Sequence, residues 1–249
     1  MDDSTGRDQH GKLHQALESL VARSRAEARA RHFTSDEWMS LRLAEHRTED
    51  RNERLAGIRQ ALGPRSIVLI GLMGAGKTAV GRRLANRLEL PFIDADTEIE
   101  IAAGQSIPEI FAEHGEAYFR QGERKVIARL LEGGPQVLAT GGGAYMSADT
   151  RANIKAHGIS IWLKAELRVL LKRVGRRDNR PLLSGCEPET VMKTLMAERY
   201  PIYAEADVTV ESRDVPHEVI VTAVIDALAA KLGCKKERAK IHGCKNKKV

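Results

Sequence analysis

The stretch "SIVLIGLMGAGKTAVGRRL", Ser66 to Leu84, decides the fold. Ser66–Ile70 is a short apolar run rich in β-branched residues and reads as a buried strand. From Lys77 onward, "KTAVGRRLANRLEL" reads as a helix. Between them lies "GLMGAGKT", Gly71–Thr78, which matches G-x-x-x-x-G-K-[ST] in the strand–loop–helix context of a phosphate-binding loop. Glycines let the backbone curl so that its N–H groups face one point, and the helix N-terminus adds positive potential there. The run Gly74, Ala75, Gly76, Lys77, Thr78 and Ala79 is therefore expected to bind ATP. Lys77 would reach the β- and γ-phosphates, and the Thr78 hydroxyl would serve Mg2+.

Outward from this run, strand and helix patterns alternate. "PFID" reads as a short strand, and "SIPEIFAEHGEAYFRQGERKVIARLLE" as two helices joined near Gly115, with Ser106 and Glu109 as a capping box. "QVLAT" is a strand leading into the loop "GGG", and "ISIWLKA" is another strand. "ELRVLLKRV" is a helix, "GRRDNRPLLSGCEPE" a long polar loop, and "TVMKTLMAERYPIYAEA" a helix to the Tyr200–Pro201 step or just beyond. "DVTVES" and "PHEVIVTAVIDALAAKL" supply a final strand and helix. The pattern predicts an α/β P-loop NTPase fold of three layers. Its five-stranded parallel sheet would have helices on both faces.

The flanks are different. Residues 1–63 are polar, with helical spacing at Leu13, Leu17, Leu20 and Val21 and a second helix expected from Ser35 to about Ile58. Pro64 marks the expected boundary. The domains predicted are 1–63, a helical or partly disordered extension; 64–232, the P-loop domain; and 233–249, a basic disordered tail. The formal charge of +6 does not indicate nucleic-acid binding. Residues 1–63 carry 11 basic and 11 acidic residues, 64–230 carry 21 and 22, and 231–249 carry 8 and 1. The excess sits in the tail, and 4% aromatic residues are few for base stacking. Cys186, Cys234 and Cys244 show no recognised zinc spacing and suit a reducing compartment. No apolar run approaches the roughly 20 residues that span a bilayer, and the N-terminus lacks a signal-peptide core. A soluble cytoplasmic monomer is expected.

A second stretch, "PFIDADTEIE", places Asp94 and Asp96 two residues apart. On an extended chain such side chains share a face, and two adjacent carboxylates repel. A cation or a hydroxyl-rich ligand should face them. In an open α/β sheet ligands bind beyond the carboxyl ends of the strands, so both acids should face the γ-phosphate region. Asp94 is placed to hold Mg2+, and Asp96 to accept hydrogen bonds from a substrate hydroxyl. A base-reading "NKxD" run is absent after Gly143, and "QVLAT" ends in Thr140 rather than adjacent acids. GTPase and motor-type ATPase readings therefore give way to a small-molecule kinase.

Six motifs, "GLMGAGKT", "FIDADTEIE", "YFRQGE", "TGGGA", "RRDNRPLL" and "AERYPIYAEAD", occur in an order that resembles the shikimate kinase family. The resemblance covers roughly residues 65 to 230. It implies transfer of the ATP γ-phosphoryl group to the 3-hydroxyl of shikimate, on the route to chorismate and aromatic amino acids. It also implies that Arg120 and Arg199 hold the shikimate carboxylate, for which guanidinium forks are suited. Asp96 would bind ring hydroxyls and take the reacting proton. Gly141, Gly142 and Gly143 would let backbone N–H groups approach the substrate. Arg180 would bring charge onto the phosphoryl group as the polar loop closes as a mobile lid, and Arg176 or Arg177 would lie against adenine. Lys77, Asp96 and Arg180 thus form the expected catalytic set, with ATP and shikimate as partners and one Mg2+ held by Thr78 and Asp94. With an ordinary pKa of about 3.9, Asp96 would be a weak base and would act mainly by positioning. A kinase for another polyol acid such as gluconate, and a non-catalytic sensor, fit these residues less well. The first lacks a need for the paired arginines, and the second has no use for a complete Mg2+–ATP site.

Overall fold

A computed structural model describes residues 35–175 and 187–234. The elements in chain order are α1 (Ser35–Leu62), β1 (Ser66–Ile70), α2 (Lys77–Leu88), β2 (Phe92–Asp94), α3 (Ala95–Ala103), α4 (Ile107–Glu132) and β3 (Val137–Ala139). A 3-10 turn (Ala144–Met146) follows, then α5 (Ala148–His157), β4 (Gly158–Lys164), α6 (Leu167–Val174), α7 (Pro188–Tyr203), β5 (Val208–Glu211) and α8 (His217–Lys231). The helix expected around Leu13–Val21, the lid with Arg176, Arg177 and Arg180, and the basic tail after Cys234 lie outside the described residues, while Gly233 and Cys234, expected in that tail, sit at the end of α8, where Cys234 packs against the core.

The five strands form one parallel sheet in the order β2-β3-β1-β4-β5. All five residues of β1 are buried, as a central strand covered on both faces requires. Chain order reverses beside β1, and a topological switch of this kind opens a crevice at the carboxyl ends of the strands. Register brings the relevant ends level. Asp94 of β2 stands opposite Ala139 of β3, and Ala139 opposite Leu69 of β1. The phosphate-binding loop, the acid pair and the glycine loop therefore leave the sheet at one edge.

Helix spacing explains the packing. On α2, Val80, Leu84 and Leu88 recur every four residues and are buried together with Gly81 and Ala85. On α8, Ile220, Val221, Val224, Ile225 and Leu228 do the same, and the two helices pack on each other. A smaller cluster lies apart from the main core. Ile99 of α3 meets Ile110 and Phe119 of α4, with Ile107, Phe111 and Val126 around them. It ties α3 to α4 and so fixes where Asp96 and Arg120 stand.

Four local outcomes differ from, or add to, the sequence reading. The chain divides into compact units at Met1–Asn52 and Glu53–Val249, so the second unit begins before Pro64. Ile58 and Leu62 of α1 are buried in its core, Leu55 packs beside them, and Arg54 pairs with Asp226 of α8 at 2.7 Å. That three- and four-residue apolar spacing was masked by the polar composition around it. Helix α5 was not anticipated. Only its Thr150 and Ile154 are buried, so it carries little periodic signal, although the Ser147 side chain caps it by accepting from the Thr150 N–H at 3.3 Å. The two helices expected to join near Gly115 do so, and the structure adds that α4 runs on across the kink there, where the backbone is non-helical with φ 78°. Helix α7 passes through Pro201 to Tyr203. No described helix is long and apolar enough to cross a membrane.

Candidate active site

The loop after β1 ends at Gly76, whose φ of 93° lets the chain turn directly into α2. No acidic residue occupies the first turn of α2, so its N–H groups present unopposed positive potential. Lys77 Nζ donates to the carbonyls of Gly71 at 2.8 Å and Leu72 at 3.1 Å, folding the side chain back over the loop. The loop is braced from behind. Arg173 of α6 donates to the carbonyls of Gly74 at 3.2 Å and Ala75 at 3.4 Å and to Ser212 Oγ at 2.9 Å, while Ser212 Oγ donates to the Ala75 carbonyl at 2.7 Å. Burial lowers the pKa of Arg173. These bonds occupy the carbonyls on the far side of the loop.

Thr78 Oγ1 donates to Asp94 Oδ2 at 2.9 Å, which joins the loop to the end of β2. Asp94 also N-caps α3, its Oδ1 accepting from the Asp96 N–H at 3.3 Å. This corrects the strand-face argument for the acid pair. Asp96 lies in the first turn of α3, beyond the strand, and its direction is set by the helix rather than by alternation. Nor is its pKa ordinary. Burial, with the charge of Asp94 beside it, raises the pKa to about 6, against the pull of Lys77.

The other side of the site closes around the glycine loop. A Cβ on Gly141 would stand 2.8 Å from Glu123 Oε1 and 2.9 Å from Asp96 Oδ1. One on Gly142 would stand 3.3 Å from Arg199 Nη1, and one on Gly143 only 2.5 Å from Arg120 Nη1. Any side chain at Gly143 would drive the Arg120 guanidinium out, so this approach needs glycine. Arg120 itself is held on three sides. Its Nη1 donates to Glu123 Oε2 at 2.8 Å, and its Nε and Nη2 donate to Glu116 Oε1 at 3.2 and 3.0 Å. Its guanidinium also lies 5.1 Å from the Phe119 ring centroid. Burial works against its charge, yet Glu123 and Glu116 together hold its pKa above the usual value. Glu123 is 2% exposed, and burial raises its pKa despite the Arg120 and Arg199 charges. Its Oε1 is buried with no hydrogen-bond partner among the described residues. An acceptor left open at such a point suits a hydroxyl or water brought in with a ligand.

The described site therefore has the loop Gly71–Thr78 on one side and, on the other, Asp96, Arg120, Glu123 and Arg199 converging on Gly141–Gly143. Residues 73–229 match the family model for shikimate kinase. A shikimate kinase from Bradyrhizobium diazoefficiens is 60% identical over 177 residues, which is 71% of this chain and 86% of that protein. Another, from Mesorhizobium japonicum, is 54% identical over 188 residues, 76% of this chain and 93% of that protein. The chain belongs to the shikimate kinase family. Among solved structures, a shikimate kinase from Acinetobacter baumannii in complex with shikimate superposes with a TM-score of 0.65 at 39% identity, covering 70% of this chain and 96% of that one.

Within this family member, two residues of the site were not singled out from sequence. Glu123 ends the quoted motif "YFRQGE" three residues after Arg120, the spacing of one helix face, which was its available signal. Tyr203 stands four residues after Arg199 on the same helix, and its hydroxyl donates to the Gly142 carbonyl. Arg180, expected in the lid as a catalytic and ATP-binding residue, lies outside the described residues.

Proposed function

We propose that the chain phosphorylates the 3-hydroxyl of shikimate with ATP, giving shikimate 3-phosphate and ADP, a step toward chorismate. The observation that carries this is the convergence on Gly141–Gly143. Two arginines from different helices, a buried carboxylate with an open acceptor oxygen and an acid of raised pKa stand together. A ring bearing one carboxylate and several hydroxyls fits that set. Arg120 and Arg199 take the carboxylate, and Glu123 Oε1 accepts from a ring hydroxyl or its water.

ATP enters with its phosphates on the N–H groups of Gly74–Ala79 and the α2 N-terminus. Lys77 leaves the Gly71 and Leu72 carbonyls to meet the β- and γ-phosphates. The Thr78 hydroxyl and Asp94 carboxylate, 2.9 Å apart, are two hard oxygen donors of the kind Mg2+ takes alongside phosphate and water. Bound there with ATP, Mg2+ supplies neutralisation of phosphate charge. Asp96 orients the 3-hydroxyl and receives its proton as the phosphoryl group departs. A pKa near 6 makes it a better base than an ordinary aspartate while leaving it ionised at neutral pH. Lys77, with Arg180 from the lid, stabilises the charge spread over the transferring group, where most of the rate enhancement of such enzymes originates.

The test is ADP release in a coupled assay with ATP and Mg2+, comparing shikimate, quinate, gluconate and no acceptor. Release that depends on shikimate supports the proposal. Equal or greater release with gluconate, or none with any acceptor while ATP still binds, overturns it in favour of another acceptor or a sensing role.

A further inference from the structure

Tyr203 is fully buried, yet its polar tip reaches the acceptor side. Its ring packs in an aromatic cluster behind the glycine loop, with centroids 6.4 Å from Tyr145, 5.9 Å from Trp162 and 6.3 Å from Tyr200. From that fixed ring the hydroxyl donates to the Gly142 carbonyl, and Arg199 Nη1 comes to the same glycine, 3.3 Å from where a Cβ on Gly142 would stand. Tyr203 and Arg199 are four residues apart on α7 and so share a helix face, and the hydroxyl has a lone pair free for a guanidinium, which has donors only. The tyrosine hydroxyl and the arginine thus meet at the central glycine of the loop. We propose that Tyr203 is a positioning residue for the acceptor side: its hydroxyl holds Arg199 against Gly142, so that the guanidinium is presented to the substrate carboxylate before the substrate arrives. This rests on the assignment of Arg199 to the shikimate carboxylate.

Pre-organisation of this kind has a specific signature. Arg199 spans a flexible side chain, and each immobilised side chain of that sort costs about 0.5–1.5 kcal/mol when it must be ordered on binding. Tyr203 removes that cost for shikimate and leaves ATP untouched, since no residue of the phosphate-binding loop bonds its hydroxyl among the described contacts. Burial also raises the pKa of the phenol, so the proton that Gly142 needs stays in place throughout the neutral range.

Tyr203→Phe deletes the one oxygen and keeps the ring in its cluster. The shikimate KM is expected to rise about tenfold. The ATP KM should not change, and kcat should stay within about threefold. Tyr145→Phe is the control. It removes another buried hydroxyl of the cluster, one that donates to Ser160 at 3.5 Å, and it should leave both KM values alone. If Tyr203 acts through Arg199, the two effects are not additive, and in an Arg199→Lys background Tyr203→Phe adds less than about twofold. An unchanged shikimate KM overturns the proposal. So does a matched effect on both substrates, or a Tyr203→Phe chain that does not fold, since either shows a general structural role. Calorimetric titration of shikimate separates this result from the parent reading. Wild-type chain that binds no shikimate removes both; wild-type binding with equal Tyr203→Phe affinity removes only the role of Tyr203.

Discussion

The nucleotide side of the site comes from one run, Gly71–Thr78, and its working parts are backbone N–H groups and a lysine resting on its own loop. The acceptor side draws Asp96 from α3, Arg120 and Glu123 from α4, glycines from the loop after β3, and Arg199 and Tyr203 from α7. The first takes its shape from a local strand, glycine turn and helix in this order, with Arg173 and Ser212 bracing it from later in the chain. The second exists only because register levels β1, β2 and β3 at one edge. They also differ in electrostatic cost. The loop relies on helix and backbone dipoles that the fold needs anyway. The acceptor side buries Glu123 and half-buries Asp96, and that burial raises both pKa values. On the proposed reading, specificity for the acceptor is thus obtained with groups that the fold would be more stable without.

The contrast gives four expected outcomes. Asp96→Asn should lower kcat by about 10²–10⁴-fold, the range for loss of a general base, while ATP affinity is retained. A parallel loss of ATP binding would show that the two sides are not separable. Arg120→Ala should raise the shikimate KM by about 100-fold, as truncating one partner of a buried charged pair does, with the ATP KM unmoved. It should also lower the melting temperature, because Glu123 would be left buried without its cation. Normal stability would mean that Glu123 is protonated or hydrated and that the pair is not coupled.

The third outcome concerns pH. The folded-state pKa of Asp96 is raised, so its charged form is disfavoured by folding. The fold therefore loses stability as pH rises from about 4 through about 6, by up to about 3 kcal/mol. Asp96→Asn should consequently melt higher than wild type at pH 7.5 and about equally at pH 4. In the same window, wild-type kcat/KM for shikimate should climb with pH as Asp96 ionises, and the variant should show no such limb. The smallest effect belongs to Glu116. It is 65% exposed and holds the Nε and Nη2 edge of Arg120, the fork a substrate carboxylate would take. An exposed pair four residues apart on a helix is worth about 0.3–0.5 kcal/mol. Glu116→Gln should therefore lower the shikimate KM about twofold, and a raised KM would place Glu116 among the groups that assist binding.

How much of this could be read from residues alone follows the same division. Lys77, Thr78 and the strand–loop–helix around them were visible because the motif is contiguous and its context is local. Asp94 and Asp96 were found from their position after a short strand, but the reason given for their common direction was wrong. Asp94 caps α3 and Asp96 belongs to that helix. The raised pKa of Asp96 could not be anticipated, since it depends on burial by elements far along the chain. Arg120 and Arg199 look like ordinary surface helix arginines until α4 and α7 are brought beside Gly143 and Gly142. Glu123 and Tyr203 had only a helix-face spacing to mark them. Helix α5 and the buried end of α1 escaped because few of their residues face the core, so their apolar periodicity is thin.

The position of the new phosphate ester tests most directly the placement of the acceptor between the arginines, Asp96 and the phosphate-binding loop. Product formed from ATP and shikimate would be examined by phosphorus–proton correlation NMR. A single ester with phosphorus coupled to the proton on carbon 3 is the expected result. An ester at carbon 4 or 5, or ATP consumed with no ester formed, would contradict the orientation in which Arg120 and Arg199 take the carboxylate and Asp96 takes the 3-hydroxyl.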